Sequence, residues 1–221
     1  MFATESEARG TGVLAADIQV RKGEILPVYS GKAGLLITGT GMTAMAFHLG
    51  KVLSGIKFQV VLNAGIAGSL KEEIAPGQVV WINNDCFADL GAEDHEDFRD
   101  VFELGLENPD DKPFHTGVVM PLLDQVHLPQ IMSAKGITVN KVHGHLVSIQ
   151  KLKSNYPGAE IESMEGAAFY YACALSDQPS LQIRAISNYV EPRNRNEWKI
   201  KEAMSGLKTV VQLWLKDYGI V

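Results

Sequence analysis

Stretches typical of β-strands alternate along this chain with stretches typical of α-helices. Residues 58–65 (FQVVLNAG) and 77–84 (GQVVWINN) are largely apolar, and each borders a glycine-containing turn. Residues 42–55 (MTAMAFHLGKVLSG) repeat their large apolar side chains at helical spacing. Strands that are apolar on both faces belong to a parallel sheet that helices cover on both sides. The sequence therefore predicts a three-layer α/β/α fold with a mixed, mostly parallel central sheet.

The length of 221 residues fits one large α/β domain, and we predict a single domain over residues 1–221. Apolar residues make up 46% of the chain and charged residues 21%, which is ordinary for a soluble globular protein. The net charge of −6 does not favour a nucleic-acid-binding surface. No apolar run approaches the roughly 20 residues that a membrane span requires. We therefore expect neither nucleic acid nor membrane as a partner.

The spacing of the two cysteines indicates in which cellular compartment the protein works. Cys86 and Cys173 lie far apart and lack the spacing of metal ligands, which favours free thiols in a reducing cytoplasm. The opening MFATESEARG becomes polar within a few residues and predicts no signal peptide. It leaves only residues 1–3 for a first strand, so either this strand is very short or residues before it are absent from the sequence. We expect a cytoplasmic protein.

Residues 85–115 are acidic and show no regular pattern. We predict an irregular connection here, and connections of this length in a compact domain are often functional. No internal repeat or low-complexity segment interrupts the rest of the chain.

Residues 39–44 (GTGMTA) satisfy the pattern G-x-G-x-x-A at a strand–helix junction. In dinucleotide-binding folds the amides of this turn face a pyrophosphate. The usual acidic partner, about 20 positions further on, is missing because the next strand ends in residues 62–64 (LNA). The turn then faces a ribose or a water, or it simply permits close packing of helix and strand. We expect no nicotinamide or flavin cofactor.

Polar residues follow three strands at the points where the strands end, at 4–7 (TESE), 163–165 (SME) and 187–188 (SN). Each has a plainer explanation, since acids favour helix starts and asparagine favours strand-closing turns. In open α/β sheets, however, the carboxyl ends of strands deliver the ligand-binding groups. Together with the glycine-rich turns 39–41 and 65–68 they predict one pocket. A base and a ribose would require such groups: two carboxylates and an amide.

The segments ATESEA, LITGTGM, NAGIAGSL, PGQVV, SMEGAA and RAISNYV carry a resemblance that covers nearly the whole chain in order. The chain resembles the purine nucleoside phosphorylase and nucleosidase superfamily, which includes the methylthioadenosine/S-adenosylhomocysteine nucleosidases. Residues 88–94 (ADLGAED) and 187–198 (SNYVEPRNRNEW) are similar, more narrowly, to the futalosine hydrolases of the alternative menaquinone pathway. This resemblance implies a hydrolase without metal or cofactor that releases hypoxanthine from futalosine.

The resemblance also implies roles for individual residues. Glu7 falls on the carboxylate that activates water, with Glu5 as the alternative if the alignment shifts. Glu165 falls on the acid that binds the ribose hydroxyls, and Met164 on the residue that packs against the sugar. Asn188 falls where adenine-specific nucleosidases carry an aspartate that protonates N7 of the base.

The amide of Asn188 favours a 6-oxopurine, because hypoxanthine presents two acceptors, O6 and N7, and an asparagine is a ready donor. Inosine-type phosphorylases also use an asparagine there, so phosphate binding must distinguish phosphorylases from hydrolases. The phosphate positions of those phosphorylases match Asn63 and Ile66, and an apolar isoleucine favours water as the nucleophile. The alternatives are another purine nucleosidase or phosphorylase, of inosine or methylthioadenosine type, and a non-catalytic nucleoside-binding protein.

The 5′ substituent of futalosine contains a benzoate-type group, which requires aromatic surface and a cation. Arg193, Arg195, Trp198 and Phe87 are candidates, as is a side chain of a partner subunit, although both arginines also fit an ordinary surface loop. His143 and its neighbour two residues on border the base and lack a third metal ligand. The resemblance implies a homodimer or higher homo-oligomer. The predicted substrate-binding residues are Met164, Ser187, Gly65, Ile66, Ala67, Val142, His143, Arg193 and Trp198.

Overall fold

The computed structural model describes residues 1–123 and 126–221. Its α-helices are α1 (Glu5–Gly10), α2 (Met42–Leu53), α3 (Leu146–Asn155), α4 (Gly166–Leu175) and α5 (Ile200–Asp217). Its β-strands are β1 (Ile25–Val28), β2 (Ala33–Leu36), β3 (Val61–Ser69), β4 (Val79–Phe87), β5 (Gly91–Asp94), β6 (Asp97–Asp100), β7 (Phe114–His115), β8 (Val118–Val119), β9 (Ser133–Thr138), β10 (Ile161–Ser163) and β11 (Ser180–Tyr189).

The central sheet is mixed, and its two longest pairings, β11 with β3 and β4 with β9, are parallel. Strand β10 joins β9 in parallel and β3 in antiparallel orientation. Strand β11 also pairs with β4, so that β11, β3, β10, β9 and β4 form a closed ring. The predicted fold class is confirmed, whereas the closure of the sheet is a feature that the sequence analysis did not predict.

Helices cover both faces of this sheet. Helices α2 and α4 pack on one face, where Leu49, Phe169 and Ile186 belong to one buried cluster. Helix α5 packs on the other face, where Leu207 and Ile183 belong to a second cluster. Strand β11 supplies apolar side chains to both clusters because successive residues of a strand point to opposite faces. Among the described helices, none is long and apolar enough to cross a membrane.

The expectation of an irregular connection over residues 85–115 was partly wrong. Strand β4 extends to Phe87, and β5 and β6 form an antiparallel hairpin in which Gly91 lies opposite Asp100. Strand β5 is exposed along its whole length. The hairpin is stabilised by its own ladder rather than by burial, so its acidic sequence lacks the alternation of apolar and polar residues that predicts a half-buried strand.

The start of the chain enters the sheet directly. Phe2 forms a parallel bridge with Ile37, and the carbonyl of Met1 accepts a hydrogen bond from the amide of Ala64 at 3.0 Å. These few residues therefore lie between the segment after β2 and the start of β3. Helix α1 begins three residues after Phe2, and its Glu7 contacts β3 through the backbone amide of Ile66.

Candidate active site

Glu7 is held in place at both of its carboxylate oxygens. Thr4 caps α1, and its backbone amide and hydroxyl both donate to Oε2 of Glu7, at 3.0 and 2.9 Å. Oε1 accepts from the backbone amide of Ile66 in β3, at 3.2 Å. Glu5 instead pairs with Arg9 at 3.0 Å, and its side chain is 45% exposed. The structure therefore brings Glu7, and not Glu5, against the glycine-rich part of β3.

Arg184 lies next to Glu7, although the sequence analysis did not name it. It is buried in β11, opposite Gly65 of β3. A Cβ atom at Gly65 would lie 2.6 Å from Nη1 of Arg184 and 2.9 Å from Oε1 of Glu7, so only glycine leaves room for both groups. Nε and Nη2 of Arg184 have no hydrogen-bond partner among the described residues. The signal that could have revealed it is a lone charge inside the apolar strand LQIRAIS.

Glu165 is the second buried carboxylate of this group. It precedes α4, and its Oε1 accepts a hydrogen bond from the backbone amide of Gly41 at 2.8 Å. Burial raises the pKa of Glu165, while the positive charge of Arg184 lowers it and the negative charge of Glu7 raises it further. The three charged side chains therefore lie within electrostatic reach of one another. Met164, beside Glu165, is half-buried.

Asn188 lies inside β11, opposite Gly68 of β3, and does not close the strand in a turn. Its Oδ1 accepts from the hydroxyl of Ser187 at 2.7 Å, and its Nδ2 donates to the carbonyl of Tyr189 at 2.7 Å. The hydroxyl of Ser187 also lies 3.2 Å from the carbonyl oxygen of Ala67. A Cβ atom at Gly68 would lie 2.8 Å from Cγ2 of Val190 and 3.5 Å from Nδ2 of Asn188, so the close packing against Val190 is what favours glycine here.

His143 is held by a buried glutamate on the other side of Gly68. Glu162 of β10 pairs with Gly68 and is 3% exposed. Its Oε1 accepts from the backbone amide of His143 at 3.0 Å, and its Oε2 lies 2.5 Å from Nδ1 of the same residue. Glu162, Gly68 and Asn188 thus occupy neighbouring positions on β10, β3 and β11. In the described part of the chain, no group of three histidine, cysteine or acidic residues could hold a metal ion.

The loop after β11 contains the residues that the sequence analysis named as candidates to bind the 5′ substituent. The guanidinium of Arg193 lies 5.2 Å from the ring centre of Trp198, and that of Arg195 lies 5.7 Å from it. The amide of Arg193 donates to the carbonyl of Gly144 at 3.1 Å, which docks this loop beside the loop of His143. Both arginines are exposed, whereas Trp198 is half-buried.

Three other side chains named from the sequence pack into apolar clusters. Ile66 contributes its side chain to the cluster on the α5 face, so that only its amide faces Glu7. Val142 packs in the cluster that includes Ile149. Phe87 packs on the α4 face, edge-on against aromatic neighbours at 6.0 and 6.4 Å.

Comparison with known proteins identifies the family. The sequence profile described as the phosphorylase superfamily matches residues 17–213. A futalosine hydrolase of Streptomyces coelicolor is 33% identical over 165 residues, which are 72% of this chain and 66%, just under two thirds, of that relative. A futalosine hydrolase of Acidothermus cellulolyticus is 30% identical over 184 residues, 81% of this chain and 74% of that one.

A solved structure has the same fold. The methylthioadenosine/S-adenosylhomocysteine nucleosidase of Colwellia psychrerythraea, crystallised with adenine, superposes with a TM-score of 0.74 at 18% identity. The superposition covers 97% of this chain and 92% of that one. The superfamily predicted from the sequence is therefore confirmed, and the chain belongs to the phosphorylase superfamily.

Proposed function

We propose that this protein is an N-glycosyl hydrolase that cleaves futalosine into hypoxanthine and dehypoxanthine futalosine, a reaction of the alternative menaquinone pathway. Its relatives of 30% and 33% identity are futalosine hydrolases. The observation that carries the proposal is the packing of Glu7 and Arg184 around Gly65, with Glu165 in electrostatic reach and Asn188 further along the same strand pair.

The two carboxylates have separate tasks in this reaction. Breaking an N-glycosidic bond builds positive charge on the ribose as the base departs. Glu165, held by Gly41, binds the ribose hydroxyls and stabilises that charge. Glu7 takes a proton from the attacking water, whose oxygen forms the new bond to the anomeric carbon. The charge of Arg184 opposes the effect of burial on the pKa of Glu165 and so favours its ionised form.

Asn188 assists departure of the base. Its second Nδ2 hydrogen donates to N7 or O6 of hypoxanthine as the bond to the ribose breaks and electrons move onto the purine. An aspartate at this position would repel O6, so the amide favours a 6-oxopurine over adenine.

Water is the nucleophile rather than phosphate. The backbone amide of Ile66, at the position that resembles a phosphate site, already donates to Glu7 at 3.2 Å. Its side chain packs against the α5 face and offers no group that binds an anion. This amide is therefore committed to the carboxylate that activates water.

The 5′ group of futalosine binds at the loop of Arg193 and Trp198. The indole offers a flat surface for an aromatic ring, and the guanidinium that lies over it offers a partner for a carboxylate. Because the loop contacts the carbonyl of Gly144, it lies close to His143 and to the base end of the site.

We also propose a cytoplasmic homo-oligomer. Both Cys86 and Cys173 are free thiols, which suits a reducing compartment. The exposed Arg193 and Arg195 leave the 5′ end of the site open, so a second subunit would complete it. Light scattering coupled to size-exclusion chromatography tests this, and a monomer at assay concentration would contradict it.

One assay tests the activity. The protein is incubated with futalosine, inosine, methylthioadenosine and adenosylhomocysteine, with and without phosphate, and the free base is measured by chromatography. We expect hypoxanthine from futalosine at a rate that phosphate does not change. A requirement for phosphate would overturn the hydrolase, and a greater release of adenine would overturn the role of Asn188. Absence of any base release would favour a nucleoside-binding protein.

A further inference from the structure

Glu165 occupies the N-cap position of α4, yet its side chain does not cap that helix. A residue at this position normally accepts a hydrogen bond from the second or third amide of the helix, because those amides have no partner within it. The carboxylate of Glu165 instead reaches across to the amide of Gly41. The first amides of α4 must therefore find their acceptors elsewhere.

Those acceptors come from outside the helix. The amide of Gly166 donates to the hydroxyl of Ser163 at 3.3 Å. The amide of Ala167, the second of the helix, donates to the hydroxyl of Thr138 in β9 at 2.7 Å. The hydroxyl of Thr138 in turn donates to Oδ1 of Asp85 in β4 at 2.8 Å. Since a hydroxyl has a single hydrogen, this bond to Asp85 leaves the oxygen lone pairs of Thr138 free to accept from Ala167.

Asp85 is fixed tightly at the start of the helix. It is fully buried, and its Oδ2 accepts from Nε2 of Gln182 at 3.2 Å. A Cβ atom at Gly166 would lie 2.0 Å from Oδ2 of Asp85 and 2.4 Å from Oε1 of Gln182. The first residue of α4 must therefore be glycine for the carboxylate to come this close.

We propose that Thr138 and Asp85 are positioning residues for Glu165. The Thr138 hydroxyl, which Asp85 orients, accepts the hydrogen bond that a side chain at the N-cap normally accepts. The Glu165 carboxylate is therefore left free to face Gly41 and the ribose. This role in catalysis rests on the proposed function. Without the Thr138 hydroxyl, the amide of Ala167 loses this acceptor, and Glu165 occupies the N-cap position, from which a side chain can replace it. The side chain of Glu165 then turns onto its own helix and leaves the site.

The first test compares Thr138→Val with Thr138→Ser. We expect the valine variant to lose at least tenfold in kcat with little change in KM, and the serine variant to keep near-normal kcat. Thr11→Val is the matched control, since Thr11 is also fully buried and donates to the carbonyl of Ala8 at 2.9 Å. It should lose stability and keep its kcat. Equal losses of kcat in both valine variants would overturn the proposal.

A double-mutant cycle separates positioning from a general loss of structure. If Thr138 acts through Glu165, then Thr138→Val lowers kcat in the natural background but causes no further loss in the Glu165→Gln background. A further loss of tenfold or more in that background would overturn the proposal.

The last test does not depend on activity. Hydrogen exchange of the Gly41 amide, followed by NMR, should accelerate in Thr138→Val and stay slow in Thr138→Ser, because the bond to Glu165 is lost only in the former. Unchanged exchange in the valine variant would overturn the proposal. If the natural protein releases no base from any nucleoside, the proposed function fails, while this measurement still decides the positioning of Glu165.

Discussion

The carboxylate of Glu165 accepts a hydrogen bond of 2.8 Å from the backbone amide of Gly41, although 124 positions separate the two residues in the chain. Gly41 has a φ of 92°, a left-handed conformation that favours glycine. Turns of this kind, between a strand and a helix, expose amides that bind anions. In this protein the anion is one of the protein's own carboxylates, which gives the G-x-G-x-x-A pattern a role without a dinucleotide.

Removing either carboxylate charge should abolish most activity. We expect Glu7→Gln and Glu165→Gln each to lower kcat at least 100-fold, in line with the roughly 10²–10⁴-fold contribution of a positioned acid or base. Circular dichroism should show an intact fold. Glu5→Gln is the matched control, because Glu5 pairs with Arg9 and is half-exposed. Near-normal rates in Glu7→Gln, or a comparable loss in Glu5→Gln, would move the catalytic role away from Glu7.

A methyl group at Gly65 should separate Glu7 from Arg184. Gly65→Ala would place Cβ 2.6 Å from Nη1 of Arg184 and 2.9 Å from Oε1 of Glu7, so both groups must shift. We expect at least a tenfold loss of kcat/KM and a lower Tm. Gly50→Ala is the control, since Gly50 lies in α2 and, among the described residues, no atom outside its own helix backbone and chain neighbours lies within 4 Å of the added methyl. Alanine also favours a helix over glycine by up to about 1 kcal/mol. Normal activity in Gly65→Ala would show that catalysis does not require the close packing of Glu7 and Arg184 around Gly65.

The base preference should change with Asn188. We expect Asn188→Asp to lower kcat/KM for release of hypoxanthine by 100-fold or more, because an ionised carboxylate repels O6. The rate of adenine release from methylthioadenosine should rise relative to the rate of hypoxanthine release, since an aspartate can protonate N7. The ratio of the two rates, measured by chromatography, checks this, and an unchanged ratio would show that other groups select the base.

The stability of the protein should decrease as pH rises towards neutrality, because of Asp85. Burial raises the pKa of Asp85 from 3.8 to about 7. Between these values the folded state holds a proton on Asp85 that the unfolded chain releases, so raising the pH lowers the free energy of unfolding, by at most about 1.4 kcal/mol per pH unit. The stabilisation that protonated Asp85 contributes to the folded state is complete below pH 3.8 and lost above pH 7.

Asp85→Asn should remove this dependence. An amide in that position can still accept from Thr138, and it can donate to Oε1 of Gln182, which has no partner among the described residues. Denaturant unfolding at pH 5, 6 and 7 should therefore give a flatter profile for the variant than for the natural protein. Parallel profiles would indicate that Asp85 is ionised throughout this range.

The amino-acid sequence alone was enough to predict the class of the fold, together with the helix near residues 42–55 and the strands near residues 58–65 and 77–84. Apolar periodicity and glycine-containing turns are local signals, which is why these features could be predicted. The sequence also indicated Glu7, Glu165 and Asn188 as candidates, since all three follow or end strands of one sheet and such positions gather at one edge. The structure places these residues around β3, and their catalytic roles stay predictions.

The neighbours of these three residues became known only from the folded structure. The pairing of β11 with β3 places Arg184 opposite Gly65, and the packing of α4 against β4 places Gly166 against Asp85. No local pattern encodes either contact. The exposed hairpin of β5 and β6 escaped prediction because its stability comes from its ladder and not from a buried face. Contacts between strands distant in sequence depend on which strands pair and in which register, and hydrophobic patterning specifies the face of a strand but not its neighbour.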